Sequence, residues 1–257
     1  MEDILYPSKI ELLPGASRHE AVLVAEPFFQ GYGMTVGSAL RRVLLSSLPG
    51  AAITAVKIKG VQHEFSTLPQ VKEDVLEIIL NLKMVRLKSF SAEPVRLRLA
   101  VKGEKEVTAG DIQATSDVEI ANPKLHLATL TDKNAELEME VLVERGRGYL
   151  PTEERGKEKK ELGLIAVDAL FSPVINVGIR VENVRVGEIT NYDKLILTVE
   201  TDGTITAKQA IEESSRVLIN HFNLFGSLTD LKGEVAEEGE APAKPKRGRK
   251  KKAEEEK

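Results

Sequence analysis

The chain contains no cysteine, which excludes disulfides, thiolate metal sites and cysteine nucleophiles. That suits the cytoplasm. No apolar run approaches the length of about 18 residues that a membrane-spanning helix needs, so no membrane association is expected. The first residues, MEDILYPSKIELL, lack the basic region and apolar core of a secretory signal. Catalytic signatures are missing as well. Gly31-Tyr32-Gly33 precedes an apolar helix, but the next glycine is Gly37, one position late for a dinucleotide fingerprint. No lysine-serine pair follows to make a phosphate loop. These glycines are expected to form a tight strand-to-helix turn. GxSxG is absent, so no serine has a nucleophile's context. His19, His63, His126 and His221 are scattered, and His63-Glu64 lacks the second histidine of a metalloprotease helix. The expectation is a chain with no catalytic, cofactor or metal residues of its own.

What is present is enough for one large or two medium domains: 257 residues, net charge −4. The charge is uneven. Residues 232–257 hold nine basic and seven acidic groups, net +2, which leaves the remainder at −6. A mildly acidic body is a poor match for broad electrostatic DNA binding, so a protein partner or a local basic patch is expected. Residues 232–257 offer only Val235 as a β-branched or aromatic residue to pack, and read as a disordered charged tail. Within it Lys244, Lys246, Arg247, Arg249, Lys250, Lys251 and Lys252 form a basic cluster resembling a nucleic-acid-contacting arm. It is a candidate weak DNA contact, or simply a solvated tail.

The periodicity predicts a hairpin from KIELLPG and HEAVLVAEP, then a helix over about 35–47, capped by Thr35 and stopped by Pro49-Gly50. Ala52 to Val61 alternates as a strand, HEFSTLP is a connector, and apolar residues at 71, 75, 78, 79 and 82 mark a second helix. VRLKSF, PVRLRLAVKG, VEI, LHLATL and ELEMEVLVERG are strand candidates, and apolar and charged residues alternate through most of them, as in a curled antiparallel sheet with one wet face. Residues 146–162 read as a polar loop, DKLILTVE as a strand, Asp202-Gly203 as a turn, and about 207–228 as a broadly apolar helix. Helices near both chain ends around a strand-rich middle suggest one domain built from both ends, with a second inserted between them.

The segment GYGMTVGSALRRVLLSSLPG carries the sharpest signal. Successive helical positions turn by about 100°, so Arg42 shares a face with Ser38 and Ser46, with Leu45 beside it. Arg41 shares a line with Leu44, Leu45 and Leu48, while Val36, Leu40, Val43 and Leu44 can cover the chain's own sheet. The arginines either anchor an interface, where their rigid fork of donors suits a carboxylate or carbonyls, or snorkel over the helix's own surface.

Together with GVQHEFSTLPQVKEDVLEIILNLK, VERGRGYLP, VDALFSPVINVGIRVENVRVG and DKLILTVETDGTI, that segment resembles, in order and spacing, the alpha subunit of bacterial DNA-dependent RNA polymerase. The likeness covers about residues 3–230. It implies an α+β amino-terminal region: a dimerisation domain of residues 1–49 and 174–231, and an inserted mainly β domain of residues 50–173 that contacts the large subunits. It implies a homodimer whose helices carry Val36, Leu40, Val43, Leu218, Phe222 and Phe225. One copy would bind the beta subunit through Arg42 and Leu45, with the His63–Ser66 segment and the GRGY loop nearby. The other would bind beta-prime through Lys83, Val167 and Glu200. Omega, sigma and promoter DNA would join through the assembled enzyme, and its Mg²⁺ would sit in the large catalytic subunits. The family usually continues into a helical DNA-binding domain. The 26 residues after Leu231 lack the length and apolar content for it, so a natural short tail is expected. Rival readings are a non-polymerase homodimer reusing the fold and, more distantly, an enzyme with a nucleotide site at the glycine turn.

Overall fold

Alternating residues near the N-terminus form a hairpin of β1 (Lys9–Pro14) and β2 (Glu20–Phe28), with Ile10 opposite Ala25 and Leu12 opposite Leu23. The computed structural model describes residues 4–155 and 163–226. The hairpin leads into α1 (Tyr32–Ser46), directly followed by β3 (Pro49–Ile58) and, after a connector, α2 (Val75–Lys83). Strands β4 (Leu87–Ser89), β5 (Val95–Lys102), β6 (Lys105–Thr108), β7 (Ile112–Gln113), β8 (Val118–Ile120) and β9 (His126–Leu130) come next. The long β10 (Glu136–Arg147) precedes β11 (Tyr149–Leu150), β12 (Leu164–Ala166) and β13 (Ala169–Leu170). A long hairpin, β14 (Val174–Val186) and β15 (Ile189–Thr201), and α3 (Ala207–Gly226) complete the described chain.

Every strand pair is antiparallel, and helices and strands are segregated as in an α+β protein. One sheet runs β1-β2-β15-β14, mixing strands from both chain ends. A second runs β7-β5-β10-β3-β4-β8, with β12 also paired to β3. The first sheet is covered by Leu40 and Leu44 of α1 and Ala207 and Ala210 of α3, packed with Val177, Leu197 and Val199. The second builds a larger core in which Val75, Ile78, Ile79 and Leu82 of α2 meet Val56, Leu97, Leu99, Leu127, Leu137 and Met139. On its wet face Glu138 pairs with Lys59 and Arg98. The chain forms two compact units, residues 1–218 and 219–257. Of the second, only 219–226 is described, and these residues are helical.

Several boundaries differ from the sequence expectation for physical reasons. Helix α1 begins at Tyr32, not Thr35: Gly31 takes φ 84°, and the Thr35 hydroxyl donates back to the Gly31 carbonyl rather than capping. Helix α2 begins at Val75 because Asp74 caps it, accepting the Glu77 N–H at 2.7 Å. Val71, which fits the helical stripe, bridges to Leu130 instead. Pro49 and Gly50 follow the end of α1 but also open β3. Residues 146–155 are largely structured: β10 runs to Arg147, β11 follows, and Thr152–Arg155 forms a 3-10 turn. The turn before α3 carries a reciprocal cap, with the Gln209 N–H donating to Thr206 Oγ1 and the Thr206 N–H to Gln209 Oε1. Leu228 and the basic cluster from Lys244 to Lys252 lie outside the described residues.

Candidate assembly interface

Helix α1 is held at its N-terminus by a residue far along the chain. Asp193 of β15 is buried, and its Oδ2 accepts the N–H of Gly31 at 2.9 Å and of Gly33 at 3.1 Å. A carboxylate at a helix N-terminus also meets the positive end of the helix dipole. The glycines allow this close approach: a Cβ on Gly33 would lie 2.9 Å from Asp193 Cβ, and one on Gly37 2.8 Å from Leu195 Cδ1. The helix terminus that a nucleotide phosphate would use is therefore filled by the protein's own carboxylate.

Anchored this way, α1 buries Leu40, Val43 and Leu44, and Val36 and Leu45 are half-buried against the same sheet. Ser38, Arg41, Arg42 and Ser46 face outward. Neither arginine has an ion-pair partner among the described residues. Ser46 Oγ donates to the Arg42 carbonyl at 2.7 Å. A Cβ on Gly148 would lie 3.3 Å from the Ser46 carbonyl oxygen, so the GRGY corner abuts the last turn of α1. The Arg42 face and that corner, far apart in sequence, thus adjoin. In the HEFS connector, His63 Nδ1 lies 3.1 Å from Ser66 Oγ, and Phe65 is 77% exposed.

On α3, Leu218 is half-buried against the core. Ile219, Phe222, Leu224 and Phe225 are each more than half exposed. Large apolar side chains thus face water together on one short helical stretch.

A second polar site gathers at Asp168. Its Oδ2 accepts from Lys83 Nζ at 3.1 Å and from the Tyr149 hydroxyl at 3.0 Å, and its Oδ1 from the Thr152 N–H at 2.9 Å. Lys83 Nζ also lies 5.3 Å from the centre of the Tyr149 ring. The Thr152 N–H is the main cause that lowers the Asp168 carboxyl to about 2; burial opposes it, and Lys83 and Tyr149 add to it. Val167 is buried in the larger core, its N–H donating to the Thr54 carbonyl at 2.9 Å. Glu200 stands apart: it is half-buried in the other sheet, opposite Glu20 and Asn176.

Asp168, the half-buried neighbour of the buried Val167 in VDALFSPV, thus joins Lys83 to Tyr149 and Thr152, and no local pattern in the sequence marks it. Asp193 carried no local signal at all, because its partners lie 160 and 162 positions away. A cleft of about 820 Å³ is lined by Lys57, Lys59, Gln62, Glu138 and Glu140, and its Lys59 and Glu138 are taken up in an ion pair with each other. Among the described residues no helix is long and apolar enough to cross a membrane.

The signature of the RNA polymerase Rpb3/RpoA insert domain matches residues 56–172. The chain is 50% identical over 210 residues to the DNA-directed RNA polymerase subunit alpha of Alkaliphilus oremlandii, covering 82% of this chain and 66% of that protein. It is 51% identical over 207 residues to the subunit of Oceanobacillus iheyensis, covering 80% and 66% respectively. With that of Symbiobacterium thermophilum it shares 53% over 212 residues, or 82% and 67%. The chain thus spans about two thirds of the length of the curated relatives it matches. With 53% identity over two thirds of a curated relative, a matching insert-domain signature and an antiparallel α+β scaffold among the described residues, the chain belongs to the family of DNA-directed RNA polymerase alpha subunits.

Proposed function

We propose that the chain is a homodimeric assembly scaffold that recruits the beta and beta-prime subunits for DNA-templated RNA synthesis. The nucleotidyl transfer and its Mg²⁺ belong to those large subunits; this chain holds them together. Residues 1–49 and 174–231 form the dimerisation domain, and residues 50–173 the insert. Arg42 and Leu45 of one copy meet beta, and Lys83, Val167 and Glu200 of the other meet beta-prime. Omega and sigma join the assembled enzyme. Promoter DNA is reached through the complex, with a weak added contact from Lys244, Lys246, Arg247, Arg249 and Lys250–Lys252.

The observation that carries this reading is Arg42. It is exposed on a helix whose other face is fully used, without an ion pair among the described residues, at the position where the family resemblance puts the beta contact. The exposed Ile219, Phe222, Leu224 and Phe225 support self-association, since obligate dimer interfaces resemble a protein core cut in half. The test is reconstitution: the full chain is mixed with beta, then with beta-prime, and the products are sized and assayed for template-directed RNA synthesis. The expected product is a particle of two copies with one of each large subunit. A chain that dimerises but captures no beta overturns the reading.

A further inference from the structure

We propose that Asp168 is the positioning residue of the beta-prime contact, fixing Lys83 and Tyr149 as one pre-formed docking surface. The inference rests on the assignment of Lys83 and Val167 to beta-prime and supplies the residue that makes them a single site.

Val167 is 1% exposed and its N–H is already taken by Thr54, so its part in the contact is to support the surface from beneath. The residue after it is the one that reaches the surface: the Asp168 side chain is 32% exposed, as Lys83 is 33%. Both Asp168 oxygens are used, and their three donors come from the end of α2, from β11 and from the turn at Thr152. One carboxylate thereby adds a tie from the end of α2 to β11, which the β11–β13 pairing already holds beside Asp168, and to the turn at Thr152. The same contact also orders the lysine. A free lysine samples many rotamers, and ordering it on binding costs affinity. Here the ammonium is held between the Asp168 carboxylate and the Tyr149 ring before any partner arrives.

This arrangement also states what fits it. A lysine ammonium has three donors, and one is used by Asp168. The partner supplies an acceptor to the remainder, a carboxylate or backbone carbonyl. Tyr149 and Leu170 are directly opposed across β11 and β13 and are 52% and 36% exposed, so they share a face. An apolar side chain of the partner lies across that face beside its acceptor.

The test uses the full chain carrying Asp168→Asn, Lys83→Ala or both, first saturated with beta and then titrated with beta-prime. Each single variant is expected to take up beta as the wild type does and to weaken beta-prime addition by about tenfold. The double variant is expected to be no weaker than Lys83→Ala, because Asp168 acts through Lys83. Full additivity of the two losses would mean that Asp168 only supports the fold, and overturns the proposal. Wild-type beta-prime binding by Asp168→Asn, beside a weakened Lys83→Ala, overturns the proposal and leaves Lys83 in place. Wild-type binding by Lys83→Ala overturns the assignment of Lys83 itself. Should Asp168→Asn fold poorly, Tyr149→Phe removes one hydrogen bond of the clamp more gently. It is expected to weaken beta-prime addition in the same direction, and no change overturns the proposal.

Discussion

Asp193 Oδ2 accepts the N–H of Gly33 at 3.1 Å, so the C-terminal strand β15 caps the N-terminal helix α1. Replacing Asp193 with alanine leaves two backbone donors without their acceptor in a mostly buried place. The expected cost is about 1–3 kcal/mol of folding stability, while Asp193→Asn, which keeps an acceptor, loses less. Chemical denaturation of the three proteins checks this; equal midpoints would show that water caps α1 just as well.

Arg42→Ala is expected to leave the homodimer intact and to weaken capture of beta by about 2 kcal/mol, roughly thirtyfold, as for a central arginine anchor. Size exclusion of the variant with and without beta reads both properties. Normal beta capture would remove Arg42 from the interface.

Leu40 and Phe222 are both apolar helix residues, yet opposite outcomes are expected. Leu40 is buried in its own chain, so Leu40→Asp places an unpaired charge in the core and should abolish soluble folded protein. Phe222 is 63% exposed, so Phe222→Asp should keep the circular dichroism of the fold and yield monomers in sedimentation. A stable Phe222→Asp dimer would place the self-association surface elsewhere.

Acid should act on the Asp168 cluster with a definite sign. Its carboxyl is lowered from an ordinary 3.8 to about 2, so the folded state favours the charged form. Its contribution is complete above about pH 4 and is lost as pH falls toward 2. The stability gap between wild type and Asp168→Asn should therefore narrow across that window and stay constant above it. A gap unchanged at the lowest pH would contradict the hydrogen-bonded carboxylate.

Deleting residues 244–252 should lower promoter affinity of the assembled enzyme modestly and reduce the slope of its salt dependence. Identical slopes with and without the segment would assign it no DNA contact.

The strands of the wet-faced sheet were legible because their pattern is local. In β5 and β10, Leu97, Leu99, Leu137, Met139 and Val141 point inward and alternate with mostly charged residues such as Arg96, Arg98, Glu138 and Glu140, and that alternation is visible without any fold. The helix starts were not legible for the opposite reason. Val71 fits the helical period of α2, but its bridge to Leu130 is decided by a strand far downstream. Thr35 is a sound cap by residue type, yet Gly31 and Asp193 begin the helix three residues earlier. The candidate sites divide the same way. The outward face of Arg42 follows from helical spacing alone. The role of Asp168 depends on Lys83, 85 positions away, and no spacing rule reaches that far.

The placement of β15 between β2 and β14 imposes an order on biosynthesis. When the start of α1 is made, β2 has only β1 beside it, and Asp193 is still 160 residues beyond Gly33. At about 5–20 residues per second, the wait is on the order of ten to thirty seconds. During that interval the middle of the chain can close its own core around α2, because all of that core's strands are made before Asp193. The sheet that carries α1 is completed only afterwards. Helix α1 thus receives its cap and its full sheet only after the core around α2 can have formed.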